Sequence, residues 1–202
     1  MRQASRVCSP ASGADKTSGS DTLNDRVSVK PARLAHASFI TANLREADQR
    51  EIFCQLPDGF KTYEVAALML GAGDAFIAYL DDTPVCFFGA HPLNICTLDA
   101  WAMGTNQTRR VIHAVTRHMI TEYGPAAIDA GFLSMECRSH VDHHEAHRWL
   151  KSTGAVANGT PFVYGKNGEK FQLFRWDRDA LGVAATRYKV SHVQSSERPQ
   201  TS

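Results

Sequence analysis

The chain has 202 residues, 43% of them hydrophobic, and a nearly balanced charge of 22 Lys and Arg against 21 Asp and Glu. That length and composition suit one domain with tails, and the balance leaves no global field to draw in nucleic acid or an anionic membrane. The cysteines Cys8, Cys54, Cys86, Cys96 and Cys137 are scattered without CxxC spacing, which argues against both a cysteine zinc site and a disulfide framework. No apolar run approaches the roughly 18 to 20 residues that span a bilayer, and the opening segment lacks the apolar centre of a signal peptide. The expectation is a soluble, intracellular protein without direct nucleic-acid or membrane contacts.

Residues 1–35 are rich in Ser, Asp, Thr, Gly and Lys and cannot offset their ordering entropy by burial. The predicted organisation is a flexible N-terminal arm over 1–35, a folded domain over 36–178 and a C-terminal tail over 179–202. Within the domain, ASFITANL (37–44) reads as a first strand, and READQREIFCQL (45–56) as a helix stopped by Pro57-Asp58-Gly59. A second helix, TYEVAALMLGAG (62–73), runs into Gly71 and Gly73. Three strand-like runs follow at 75–82, 83–92 and 95–103, the first two turning at Asp81-Asp82, with Pro84 at a strand start.

Val111, Ile112, Val115, Met119, Ile120 and Tyr123 then recur at helical spacing, with Thr105 or Asn106 as the cap and Gly124-Pro125 as the stop. FLSMECR (132–138) reads as a strand, SHVDHHEAHRWLKSTG (139–154) as a helix, and PFVYGKNGEKFQLFRW (161–176) as a hairpin turning at Asn167-Gly168. The order β-α-α-β-β-β-α-β-α-β-β predicts an α/β (α+β) mixed central sheet with helices on both faces.

That order resembles the GNAT superfamily of acetyl-CoA-dependent N-acetyltransferases. The ending RWLKSTGAV (148–156) followed by GEKFQLFRW (168–176) is most similar to the GNAT-like internal virion or virion-assembly proteins of short-tailed phages. The resemblance implies a virion-associated or assembly protein on a GNAT-like fold that has lost acetyl transfer. Its place would be the virion or host cytoplasm, and its partners other virion or assembly proteins, met through the arms, or copies of itself in an oligomer or ring. No cofactor is expected on that reading. The alternative is an active N-acetyltransferase that uses acetyl-CoA on a small amine or a protein amino group.

In the enzymes that this resemblance invokes, a Q/R-x-x-G-x-G/A loop before the long helix offers backbone N–H groups to the CoA diphosphate. The corresponding stretch here is WAMGTNQTRR (101–110), with Gly104 alone, and Thr105 and Asn106 in the crowded positions. Met103, Gly104, Thr105, Asn106 and Arg109 are the candidate cofactor-binding residues. Family members also carry a Tyr that protonates the departing thiolate; alignment on Gly154 puts Leu150 there, which cannot donate a proton. His147, one turn earlier, is the candidate substitute. Glu136 on the fifth-strand run, with Asp99 on the fourth, is the candidate general base.

The stretch from Ser139 to Gly154 also holds His140, His143, His144 and His147. Spacings of four place them in pairs on a helix face, a zinc-compatible geometry, but the HExxH pattern is absent and no metal site is predicted. The simpler expectation is a helix with Ser139 as N-cap and Asp142 three residues on. Ala146, Trp149 and Leu150 form its buried stripe, Gly154 its left-handed stop, and the histidines its polar face.

Overall fold

The computed structural model describes residues 26–182. Its elements are β1 (Val27–Pro31), α1 (Leu34–Ala42), α2 (Glu46–Phe53), α3 (Thr62–Ala72), β2 (Asp74–Leu80), β3 (Thr83–Pro92) and β4 (Thr97–Gly104). They continue with α4 (Thr108–His118), a π-helical turn (Met119–Tyr123), α5 (Gly124–Asp129), β5 (Ser134–His140), α6 (His144–Ser152), β6 (Val156–Val163) and β7 (Lys170–Asp177). The strands form one seven-stranded sheet in the order β1-β2-β3-β4-β5-β7-β6. Only β4 and β5 pair in parallel; every other neighbour is antiparallel.

Helices cover both faces, as expected. On one face α1 and α3 bury Ala37, Ile40, Val65 and Ala66 against Ile77, Phe87 and Met103. On the other, α4 sets Val111 and Val115 against Ala78, Cys86 and Phe88, and Leu150 of α6 joins Leu98, Met135, Phe174 and Trp176. The alternation of in and out along β3, β4 and β7 produces both layers from one set of strands.

The first strand is not where the sequence suggested. Residues 37–44 lie almost wholly in α1, which is apolar nearly all round and so shows no helical contrast between faces. The strand comes earlier, at Val27–Pro31, where Val27 and Val29 pack under the sheet. The expected arm over 1–35 is therefore folded from β1 onward, and residues 1–25 lie outside the described part. At the other end Leu181 is buried in the core, so the expected tail from 179 begins inside the fold; 183–202 lie outside the described part.

Two further boundaries differ from expectation. Gly124-Pro125 does not end the long helix: in the π-helical turn the Gly124 N–H bonds to Met119 O, and the chain runs on into α5 with Pro125 in its first turn, where no N–H is needed. Ser139 does not cap α6, because Ser139 and His140 pair with Gln172 and Phe171 as the last residues of β5. The helix starts at His144, with His143 in the cap position. The hairpin at Asp81-Asp82, both with positive φ, and the left-handed stop at Gly154 are as expected. The terminal hairpin is longer than expected, since β6 begins at Val156. Among the described residues no helix is long and apolar enough to cross a membrane.

Candidate active site

β4 and β5 stay paired only from Thr97 with Ser134 to Asp99 with Glu136. Beyond that point β4 follows β3 to Gly104 and β5 follows β7 to His140, so a wedge opens between them. Peptide groups alternate sides along a strand. The Thr105 N–H points back to Val85 O of β3, at 3.0 Å, whereas Gly104 exchanges its bonds with α2 on the opposite side. The same alternation turns the peptide of Ala102 into the wedge, and Ala102 is exposed in mid-strand.

On the α1–α3 side the wedge opens into a cavity of about 350 Å³, lined in part by Glu51, His91, Asp99, Trp101, Arg138 and Tyr164. Asp99 is its chemical centre. Arg138 of β5 donates two hydrogen bonds to the Asp99 carboxylate, at 3.1 and 3.0 Å, and His91 Nε2 lies 3.6 Å away. The guanidinium of Arg138 also lies 5.2 Å from the Tyr164 ring. Burial raises the Asp99 pKa above its ordinary value; Arg138 and His91 oppose that shift and Glu136 adds to it.

On the α4–α6 side lies a narrower crevice of about 50 Å³, lined in part by Ala102, Thr108, Ile112, His143, Trp149 and Leu150. Across it Trp149 Nε1–H donates to Thr116 Oγ1 at 2.8 Å, and Arg109 Nε–H donates to Glu145 at 2.6 Å. α2 closes the upper end. The Asp48 carboxylate accepts the Gly104 N–H at 2.7 Å and pairs with Arg45 Nε at 2.9 Å, while the Arg45 N–H donates to Gly104 O at 2.9 Å. His143 Nδ1 donates to Glu51 at 2.6 Å, and its Nε2 lies 3.8 Å from Asp48.

The structure brings Met103, Gly104, Thr105, Asn106 and Arg109 together at the β4–α4 turn. Glu136 sits at the fork opposite Asp99 and Arg175 in register, outside the residues that line the cavity. His147 packs its ring 4.9 Å from Phe174, outside the crevice lining, and burial lowers its pKa. The histidines do not form one polar face: His140 and His143 are buried, and His140 belongs to β5. Among the described residues no group of three His, Cys, Asp or Glu side chains is arranged to hold a metal.

Sequence reasoning overlooked Arg45, Asp48, Glu51 and Arg138. A signal for Asp48 was present, since it sits four residues after Leu44 and four before Ile52, a charged residue within an apolar stripe.

No family model matches the sequence, and no curated protein matches it. Solved structures do. The chain is similar to yncA of Salmonella typhimurium, a putative acetyltransferase solved with its cofactor acetyl-CoA, at a TM-score of 0.58 and 13% identity over 76% of this chain and 95% of that one. A probable GNAT-family acetyltransferase of Chromobacterium violaceum matches at 0.59 and 14% identity over 78% and 90%. Ard1 of Thermoplasma volcanium matches at 0.57 and 11% over 75% and 97%. The fold is thus the one that these acetyltransferases share. None of the three is described as a virion protein, and one of them is described with acetyl-CoA as its cofactor.

Proposed function

We propose that the protein is an N-acyltransferase that moves an acetyl group from a thioester to an amine held in the cavity under the β4–β5 fork. The observation that carries this reading is the parting of β4 from β5 beyond a partly buried carboxylate, Asp99, whose pKa is raised. An amine must lose a proton to become an amide, and a carboxyl shifted toward neutrality accepts that proton better than an ordinary one. Arg138 fixes the Asp99 carboxylate in place through its paired hydrogen bonds, and Glu51 gives the same cavity a second acid facing a cationic acceptor.

The donor supplies an activated acyl group. A cationic acceptor first gives one proton to solvent; the neutral nitrogen then forms the amide bond, the carbon–sulfur bond breaks, and the second nitrogen proton passes to Asp99 while the departing thiolate takes up one in its place. The exposed peptide of Ala102 offers strand-like hydrogen bonds to an extended amide-bearing arm in the wedge. The two ends of acetyl-CoA meet different surroundings. The wedge suits its thioester arm, but the β4–α4 turn does not suit its diphosphate, because a carboxylate already takes the Gly104 N–H.

The test is amide formation followed by mass spectrometry, with acetyl-CoA and S-acetylpantetheine as donors and a panel of small amines and peptide N-termini as acceptors. Product that depends on Asp99 is the expected result. No product from either donor with any acceptor overturns the assignment.

A further inference from the structure

Resting on the transferase reading, we infer that the donor is recognised through its pantetheine-type thioester arm and not through a nucleotide diphosphate. A diphosphate at a helix start is held by backbone N–H groups that have no other partner. Here four of those groups are spent within the chain. The Gly104 N–H goes to Asp48 at 2.7 Å, that of Thr105 to Val85 O at 3.0 Å, that of Gln107 to Thr105 Oγ1 at 3.2 Å, and that of Thr108 to Thr105 O at 3.0 Å.

The hollow is filled as well as the donors. A Cβ built on Gly104 would overlap the Thr108 hydroxyl and lie 2.9 Å from Val85 O, so this glycine accommodates the protein's own atoms and not a phosphate. Charge points the same way. Asp48, 3% exposed, sits beneath the turn, and Glu145 stands in front of it with its oxygens 2.6 Å from Arg109 and 3.6 Å from Arg45. Arg109 and Arg45 are therefore already paired with carboxylates, Arg110 meets the Gln107 side-chain oxygen at 3.4 Å, and an incoming diphosphate would face two anions at close range. Two residues earlier Ala102 is exposed, and Asp48 takes the Gly104 N–H and not its own, which leaves its peptide for an uncharged, amide-containing arm. Such an arm occurs free, as an acyl-pantetheine, or attached to a carrier protein.

The experiment compares acetyl-CoA, S-acetylpantetheine and an acetylated carrier-protein domain on the full chain, by kcat/KM for amide formation and by calorimetric binding. S-acetylpantetheine is expected within about three-fold of acetyl-CoA, and 3′,5′-ADP is expected not to compete at millimolar concentration. Higher kcat/KM for the carrier-borne arm would identify that source, and equal or lower would identify the free thioester. A preference of about a hundred-fold or more for acetyl-CoA, with competition by 3′,5′-ADP, overturns the inference and leaves the transferase intact; no use or binding of any thioester overturns both.

Asp48→Asn separates charge from shape, because the amide oxygen still accepts the Gly104 N–H. It is expected to improve acetyl-CoA binding about ten-fold more than S-acetylpantetheine binding, as relief of like-charge repulsion requires. An unchanged ratio in a folded variant counts against Asp48 as the excluding group and overturns the inference.

Discussion

The carboxylate of Asp48 accepts the backbone N–H of Gly104 at 2.7 Å, across 56 residues of sequence. One hydrogen bond thus ties α2 to the end of β4, beyond the stretch that ends at Asp99 where the strand pairs with β5. The acid is nearly inaccessible, so its charge is tolerated through the partners it has there, the Gly104 amide and Arg45, with His143 3.8 Å away.

Burial raises the Asp48 pKa, against the opposing effects of Arg45 and the Gly104 N–H. Folded protein therefore holds this proton more tightly than unfolded chain. The stability that follows is fully present below the ordinary value of 3.8 and is lost as pH rises through the higher folded value. Asparagine does not titrate. The stability of the native chain minus that of Asp48→Asn should accordingly fall in urea unfolding as pH rises above 3.8, and a difference that grows with pH would contradict the shift.

Gly104 admits no side chain. A Cβ there would overlap Thr108 Oγ1 and lie 2.9 Å from the backbone oxygen of Val85, which cannot turn aside. Gly104→Ala should destabilise by about 1–3 kcal/mol, the usual cost of forcing atoms into a packed interior. Chemical denaturation gives the value directly; a change under about 0.5 kcal/mol would show that the turn yields.

Asp99 should govern the acid side of the rate profile. Its pKa lies above 3.8 because burial outweighs the attraction of Arg138 and His91, and only the ionised form accepts a proton. The rate should rise with pH through that value and level off above it. Asp99→Asn should lower kcat/KM by about 10² to 10⁴ and remove the acid limb. An Asn variant that keeps the same limb would assign the titration to another group.

Periodicity carried the strands and helices wherever one face is buried and the other wet. α4 and α6 are of that kind, and the sequence marks them clearly. α1 is not, since Phe39 and Leu34 are exposed while Ala37 and Ile40 are buried, so its apolar run carries no period that tells helix from strand. The β4–α4 turn was legible through Gly104, but the occupant of the turn was not. Asp48 reaches it from a distant helix, and no local pattern records a contact across 56 residues. His143 misled for a related reason: the helix it was assigned to begins one residue later, which turns the ring inward to Glu51.

Trp149 Nε1–H donates to Thr116 Oγ1 at 2.8 Å, and the same hydroxyl donates to Ile112 O at 2.7 Å. The threonine thereby ties the indole of α6 to the backbone of α4, across the crevice that leads to the wedge. Trp149→Phe keeps most of the packing and removes one donor from a partly buried pair, so a loss of about 1 kcal/mol is expected from the hydrogen bond, with a further contribution from the smaller ring. A double-mutant cycle with Thr116→Val isolates the bond, with a coupling of about 0.5–1.5 kcal/mol. If the bond also restrains α6 over the crevice, Trp149→Phe should speed thioester association measured by stopped flow while the maximal rate of amide formation stays near that of the native chain. Coupling near zero would mean that the two helices are held by apolar packing alone, and the access route would then have to open elsewhere along α6.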